Sequence, residues 1–352
     1  MATIKDIAQR LGVSVSTVSK GLNGASDISE DLRQTVLDTA VEMGYATKRS
    51  KKVENRKLAV FIENMDYTTS NQFGYEILLG FRQNAFRHDW QVSVIPATKE
   101  LQQEEKYDTY MLKNGFCGAF LVGFALQDEW MKQLETTTVP TVLFDNFIPR
   151  NPNIAYVGTD SYEGIDAAID HLYMLGHKKI AFLNGSKHSM VSEQRQEAYL
   201  NSMNAHGLEI YDELMAYGYY VAGSAKYHVP TFLKAGATAI VCGNDLIASG
   251  VIDECNAHGY RVPEDISVVG FDDIPLASML APPLTTIRQE RAELGKSAYV
   301  ILNSLIHHIP MSKVQIRALL VKRESTARCR ITAEKKQENI FNFAASDVIS
   351  VK

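Results

Sequence analysis

The feature of this sequence that most restricts its fold is a regular alternation of short β-rich runs with amphipathic helical stretches, which begins at residue 58. The runs occupy residues 58–62, 91–95, 119–122, 141–144, 179–183, 239–242 and 266–269. Apolar runs of this length are typical of strands buried on both faces of a parallel sheet. Their alternation with helices predicts βαβ units, and hence an α/β fold with two doubly wound parallel sheets.

Length and composition limit the number of domains and the class of protein. A chain of 352 residues suits two or three domains, and 45% hydrophobic with 22% charged residues is ordinary for a soluble globular protein. No apolar run approaches the roughly 18 residues needed to span a bilayer, and the N-terminus lacks a secretory signal. Four well-separated cysteines predict free thiols in a reducing cytoplasm, with no disulfide framework and no zinc site. We therefore expect a cytoplasmic protein.

Charge is unevenly distributed along the chain. Residues 1–57 carry ten Lys and Arg against seven Asp and Glu, whereas the remainder carries 26 against 34. A basic head on an acidic body indicates that only the head meets a polyanion. A chance fluctuation would give the same counts, so charge alone does not decide the point.

The first 45 residues have the pattern of three short helices with helix-turn-helix spacing. Ala8 is the small residue needed where the first helix touches the second, and Gly12 suits the left-handed turn between them. Val18 is then the β-branched residue that packs into the core beneath the second helix. The alternative is another small three-helix domain without DNA-binding function.

The exposed face of the second helix would carry the recognition chemistry. Ser16 and Lys20 can bond base edges, Thr17 can serve phosphates, and Val15 completes this face. Residues 48–57 follow with six basic residues and one acidic residue, which indicates a linker between two regions of different composition.

These motifs resemble the lactose-repressor (LacI/GalR-type) family of bacterial transcription regulators. In the head the matching segments are residues 3–8, 12–14, 17–23 and 44–45. In the body they are residues 175–180, 244–250, 262–273, 283–289 and 323–326. The resemblance covers residues 3 to about 327 and implies a ligand-controlled repressor, with no enzymatic activity and no cofactor.

The resemblance also implies a domain organisation. The head would take residues 1–46, a basic linker or hinge 47–57, the sensor 58–330 and a tail 331–352. The sensor resembles periplasmic sugar-binding proteins with two lobes, one of about 58–160 and 290–318, the other of about 161–287 and 320–330. Family members usually dimerise and bind pseudo-palindromic operator DNA with one head per half-site.

The DNA-contacting positions that the resemblance implies lie in the head and the linker. They are Thr3, Lys5, Ser14, Val15, Ser16, Thr17, Ser19, Lys20, Asn23, Lys48, Arg49, Lys51, Lys52 and Val53. The linker departs from the family pattern, in which Pro follows Gly-Tyr and a hinge-helix Leu wedges into the minor groove. Val53 is the one candidate wedge, and it is small with a low helix propensity. The resemblance therefore does not predict a hinge helix in this linker.

The effector is expected between the lobes, where strand carboxyl ends meet helix N-termini. The positions that match the family's ligand contacts are Asp145, Arg195, Asn244 and Asp272, with Tyr220 as an aromatic wall and Phe73 as a candidate for the opposite wall. Carboxylates, a guanidinium and an amide suit sugar hydroxyls, although an Asp at a strand end is also a common helix cap. With Arg195 as the one fixed cation placed there, we expect a neutral mono- or oligosaccharide.

Other interpretations are weaker. A solute-binding protein without regulatory role would share the body but not the head. A doubly wound enzyme is the third class, yet the sequence shows no catalytic set: Glu290 stands where a phosphate loop ending at Ser297 needs Gly, and Cys255 with His258 lacks a second metal-binding pair. The tail has no leucine heptads, so a homodimer is expected instead of a tetramer.

Overall fold

The computed structural model describes residues 2–45, 56–187 and 189–330. The chain forms two compact units. Unit 1 comprises Met1–Asp160, His188–Glu193 and Gln289–Ala318, and unit 2 comprises Ser161–Lys187, Gln194–Arg288 and Leu319–Lys352. The head belongs to unit 1.

The head consists of three helices: α1 (Ile4–Leu11), α2 (Val15–Asn23) and α3 (Glu30–Glu42). Ala8 and Val18 are buried with Ile7, Val36 and Ala40 in its core. Gly12 has φ 66°, the left-handed value that the spacing predicted for the turn. The helix-turn-helix expected from the sequence is therefore confirmed.

Unit 1 contains a parallel sheet with strands β1 (Lys57–Ile62), β2 (Gln91–Pro96), β3 (Gly118–Val122), β4 (Thr141–Phe144), β5 (Ile154–Thr159) and β11 (Lys313–Ile316). Their order is β11-β5-β4-β3-β1-β2, and every neighbouring pair is parallel. Its helices are α4 (Phe73–Arg87), α5 (Lys99–Glu104), α6 (Tyr107–Asn114), α7 (Glu129–Gln133) and α13 (Arg291–Ile306). Apolar cores cover both faces of the sheet, as a parallel sheet requires.

Unit 2 repeats this plan with strands β6 (Ile180–Asn184), β7 (Met215–Tyr217), β8 (Ala239–Cys242), β9 (Ser267–Asp272), β10 (Thr285–Arg288) and β12 (Leu319–Val321). Their order is β12-β10-β9-β8-β6-β7. The helices that belong to it are α8 (Ser161–Met174), α9 (Met190–Ala205), α10 (Ala225–Lys234), α11 (Asp245–Ala257) and α12 (Pro275–Met279), the first turn of α9 lying in unit 1.

Two doubly wound sheets were predicted and are confirmed, with one difference. Strand β12 pairs antiparallel with β10, so the second sheet is not wholly parallel. The runs predicted as strands do not include β5, β7, β10, β11 and β12. Three of these are edge strands of only three or four residues, too short to show a periodic pattern.

In both sheets the chain reverses its direction of winding between two central strands. The reversal lies between β1 and β3 in unit 1 and between β6 and β8 in unit 2. At such a switch point the loops leave in opposite directions and open a crevice at the carboxyl edge. The polar residues that matter for function are therefore expected at these edges.

Close contact between α4 and α13 gives a stability prediction. A methyl group at Gly295 would overlap the carbonyl oxygen of Ile77, although alanine is intrinsically the better helix former. We expect Gly295→Ala to destabilise the protein by about 1–3 kcal/mol, which urea unfolding measures. Gly223→Ala is the control, because no atom lies within 4 Å of its added methyl. Equal unfolding midpoints for the two variants would contradict this helix contact.

Candidate DNA-binding surface and effector-binding residues

The start of α2 is held by its own side chains. Ser14 Oγ accepts a hydrogen bond from Thr17 N at 3.0 Å and lies 2.8 Å from Thr17 Oγ1 and 2.7 Å from Ser16 Oγ. This cap fixes the first turn of the helix. Val15 is 46% exposed, so its methyl groups are accessible to an apolar partner such as a thymine methyl group.

Lys20 and Asn23 extend the same surface. Lys20 Nζ forms an ion pair with Asp27, and that hydrogen bond lowers the pKa of Asp27. Because the pair is exposed, it stabilises the head little, and Lys20 can exchange Asp27 for a DNA acceptor. Asn23 Nδ2 donates to the carbonyl oxygen of Ser19 at 2.7 Å.

The remaining predicted DNA contacts divide into two sets. Thr3 caps α1 in a reciprocal capping box with Asp6, and Lys5 is exposed beside it. The predicted linker contacts lie outside the described residues; they are Lys48, Arg49, Lys51, Lys52 and Val53.

In unit 2, Arg195 is fixed at the switch point. It is 3% exposed, its Nη1 donates to the carbonyl oxygen of Gly243 at 2.6 Å, and its guanidinium lies 3.7 Å from the ring centroid of Phe271. Its Nε is buried and has no hydrogen-bond partner in the described part of the chain. A buried guanidinium with a spare donor is suited to a polar ligand.

Asn244 and Tyr220 lie at the same edge of the unit 2 sheet. Asn244 Oδ1 accepts from Ile247 N at 2.8 Å and so caps α11, which leaves the amide Nδ2 as its donor. Tyr220 has φ 60°, and its ring lies so close to Gly185 that any side chain there would overlap it. A methyl group at Gly243 would come within 2.5 Å of Gly185 N, so the loops after β6 and β8 meet here.

Asp272 ends β9 with φ 111° and is 8% exposed. Its neighbours in the sequence have structural partners. Asp273 forms ion pairs with Arg288 at 2.7 Å and Arg323 at 2.6 Å. Asp245 accepts from Thr286 Oγ1 at 2.5 Å and Ile274 N at 2.9 Å; burial, together with the charge of Asp272, raises its pKa well above the ordinary value.

In unit 1, Asp145 follows β4 with φ 57°, and a side chain at position 158 would come within 2.6 Å of its Oδ1. Phe73 begins α4 and packs against Phe144, with ring centroids 6.1 Å apart. These two predicted ligand residues thus share one edge of the unit 1 sheet. The structure therefore groups the predicted residues into a pair in unit 1 and a set of four in unit 2.

Sequence reasoning missed two groups in unit 1. Arg291 is 6% exposed, lies 6.0 Å from the ring centroid of Phe73 and pairs with Glu76 at 2.9 Å. Arg195 is therefore not the only fixed cation beside a predicted ligand residue. No motif marks Arg291, because its partner is 215 residues away in the chain.

Glu63, which directly follows β1, is the second missed group. It is 7% exposed and accepts from Gln102 Nε2 at 2.8 Å. Burial raises its pKa to about 7, and the nearby Asp128 contributes to that rise. Glu63 directly follows a predicted strand, as Asp145 does, and this position is the sequence signal that could have identified it.

The raised pKa of Glu63 predicts a pH dependence of stability. The carboxyl group stays protonated in the folded state while the unfolded chain ionises above about pH 4.5, so folding stability is lost as pH rises towards about 7. We expect Glu63→Gln to remove this part of the decline, measured as melting temperature from pH 4 to 8. The exposed Glu104→Gln is the matched control, and a decline in Glu63→Gln as steep as in the parent protein would contradict the assignment.

Two family models match this chain and define its class of protein. Residues 3–48 match the family model of bacterial regulatory proteins, lacI family, and residues 169–326 match a periplasmic binding protein-like domain. The combination defines a DNA-binding regulator with a sensor of the periplasmic-binding type. None of the helices in the described ranges has the length and apolar character needed to cross a membrane.

Curated relatives cover almost the whole chain. The repressor PurR of Mannheimia succiniciproducens is 28% identical over 93% of this chain and 99% of its own length. The repressor CytR of Escherichia coli K12 is 29% identical over 86% of this chain and 89% of its own length. The head of this chain is therefore a DNA-binding domain of the lacI family, joined to a periplasmic binding protein-like domain, and the chain is homologous to the repressors PurR and CytR. Because these relatives are repressors, the prediction that the chain is no enzyme is confirmed.

Solved structures show the same fold. A transcriptional regulator CelR–cellobiose complex matches with a TM-score of 0.69 at 23% identity, covering 92% of this chain and 100% of that one. The lac repressor dimer bound to operator and the anti-inducer ONPF matches with a TM-score of 0.64 at 24% identity, covering 93% and 99%.

Proposed function

We propose that a neutral polyhydroxylated ligand, a mono- or oligosaccharide, controls the operator affinity of this repressor. Arg195, Asn244 and Asp272 of unit 2 would bind its hydroxyl groups, and Tyr220 would stack on it. Asp145 and Phe73 of unit 1 stay predicted ligand contacts. The observation that carries the proposal is the buried Arg195 guanidinium, which stacks on Phe271 and keeps an unsatisfied Nε.

Charge at the unit 2 edge favours a neutral ligand. Asp273 is ion-paired with Arg288 and Arg323, and the raised pKa of Asp245 favours its protonated form. Arg195 and Asp272 add one charge of each sign at this edge. A phosphorylated sugar would have to approach the Asp272 carboxylate in a partly desolvated site, whereas hydroxyl groups can both donate to it and accept from Arg195.

The charges near the predicted ligand residues of unit 1 also favour a neutral ligand. Arg291 is paired with Glu76, so it adds no net charge near Phe73. Asp145 adds a carboxylate. The solved relative in complex with cellobiose supports the same ligand class.

A ligand panel tests the proposal. Neutral monosaccharides, cellobiose and other disaccharides, their phosphorylated forms and nucleosides are compared by melting temperature and then by calorimetric titration. A neutral sugar that binds at a concentration 100 times its Kd should stabilise the protein by about 2.7 kcal/mol. Tight binding of a phosphorylated sugar or a nucleoside, with no binding of neutral sugars, would refute the proposal.

Arg195 gives a sharper prediction. We expect Arg195→Lys to weaken sugar binding by about 2 kcal/mol, roughly 30-fold, because lysine keeps the charge but loses the planar donor fork and the stacking on Phe271. Arg261→Lys is the control, since Arg261 pairs with Asp265 on the exposed surface. Unchanged sugar affinity in Arg195→Lys would remove Arg195 from the site.

We propose that the DNA surface comprises the predicted head positions and that the predicted linker positions neutralise phosphates. The head positions are Thr3, Lys5, Ser14, Val15, Ser16, Thr17, Ser19, Lys20 and Asn23. Lys20→Ala should relax base preference at one operator position and cost roughly 1–3 kcal/mol, and Ser16→Ala should cost less. Competition gel shifts against singly altered operators measure this, with Lys132→Ala as a control outside the head. Unchanged discrimination in Lys20→Ala would show that the recognition helix is misplaced.

We further propose that the working form is a homodimer, with one head for each half-site of a pseudo-palindromic operator. The likeness to a lac repressor dimer is consistent with this. The predicted absence of a tetramerising heptad rests on residues 331–352, which lie outside the described residues.

A further inference from the structure

Two polar links join the head to α6 of the same unit. Thr109 Oγ1 donates to Asp38 Oδ1 at 2.7 Å. Lys113 Nζ lies 3.1 Å from Glu30 Oε1 and 3.5 Å from Glu105 Oε1. Burial alone would lower the pKa of Lys113, but the two carboxylates outweigh it and raise the pKa.

The residues that form these links lie on one stripe of each helix. Glu30 and Asp38 are eight residues apart along α3, and Thr109 and Lys113 are four residues apart along α6. Residues four apart share a helix face, so the links belong to one helix–helix contact, which we call the α3–α6 contact.

Apolar packing closes the same contact. Leu112, between Thr109 and Lys113, packs against the head core that contains Val18 and Val36. Thr109 is 0% exposed, and Leu37, one position before Asp38, is 1% exposed. Moving the head away would expose Leu112 and leave the buried Thr109 hydroxyl to find another partner.

The α3–α6 contact leaves the DNA surface open. Val15, Ser16 and Lys20 on α2 remain exposed while α3 is bound to α6. The contact with α6 therefore uses a face of the head that is separate from the predicted DNA-contacting residues of α2.

We propose that the α3–α6 contact holds the head on unit 1 of its own chain in the orientation used for DNA binding. A head attached only through a linker loses orientational freedom when it binds an operator. A head already bound to α6 has lost that freedom beforehand, so its operator affinity is higher.

Cross-linking tests the contact without DNA or effector. In Asp38→Cys/Thr109→Cys, mild oxidation should give an intramolecular disulfide, seen as a joined peptide pair by mass spectrometry and a monomer band on a non-reducing gel. Thr35→Cys/Thr109→Cys is the control, because Thr35 lies on the exposed side of α3. No cross-link, or one that joins two chains, would overturn the proposal.

DNA-binding measurements test the expected gain in operator affinity. The probe is a duplex that the wild-type protein selects from a randomised pool. Lys113→Glu should weaken binding by about fivefold or more, and Glu30→Lys added to it should restore most of the loss. Lys132→Glu controls for charge reversal elsewhere in unit 1, and melting temperatures verify folding. The oxidised Asp38→Cys/Thr109→Cys protein should bind within about threefold of its reduced form. Loss of binding on oxidation, or tighter binding by Lys113→Glu, would show that the docked head is inhibitory and overturn the proposal.

Discussion

Parallel strand pairing at the switch point of each sheet is the constraint on which the candidate effector residues depend. Because β6, β8 and β9 run in the same direction, their carboxyl ends meet at one edge. The loop glycines 185 and 243 allow that edge to close, since side chains at either position would overlap the neighbouring loop or the Tyr220 ring. Positive φ values at Asp145, Tyr220 and Asp272 mark the same edges, where backbone strain often accompanies function.

Three ionisable groups near the unit 2 edge are stabilised by different physical means. Asp273 is ion-paired, the carboxyl group of Asp245 has a raised pKa, and the Arg195 guanidinium is stacked on an aromatic ring. Buried charges without such compensation would cost several kcal/mol each. These contacts leave the Arg195 Nε donor and the Asp272 carboxylate as candidate partners for hydroxyl groups, which is the basis of the proposed neutral ligand.

The head has its own core and caps, yet it is also bound to the unit that carries Asp145 and Phe73. Ile7, Val18 and Val36 stabilise the three helices internally, while Asp38 and Glu30 face α6. One helix, α3, therefore serves both the fold of the head and its attachment. A substitution on one side of α3 should change head stability, and one on the other side should change head orientation.

The sequence by itself determined the features whose signals are local. Helical spacing located Ala8, Gly12 and Val18, and alternating apolar runs predicted two doubly wound sheets, because both patterns repeat within a few residues. The family resemblance supplied the candidate ligand residues, which remain predictions. Only the tertiary structure decided that Arg291 pairs with Glu76, that Glu63 is buried beside Asp128, and that Asp38 bonds Thr109. The pairs Arg291–Glu76 and Asp38–Thr109 are separated by 215 and 71 residues in the chain, and polar groups so far apart meet only when the packing of the elements between them brings them together.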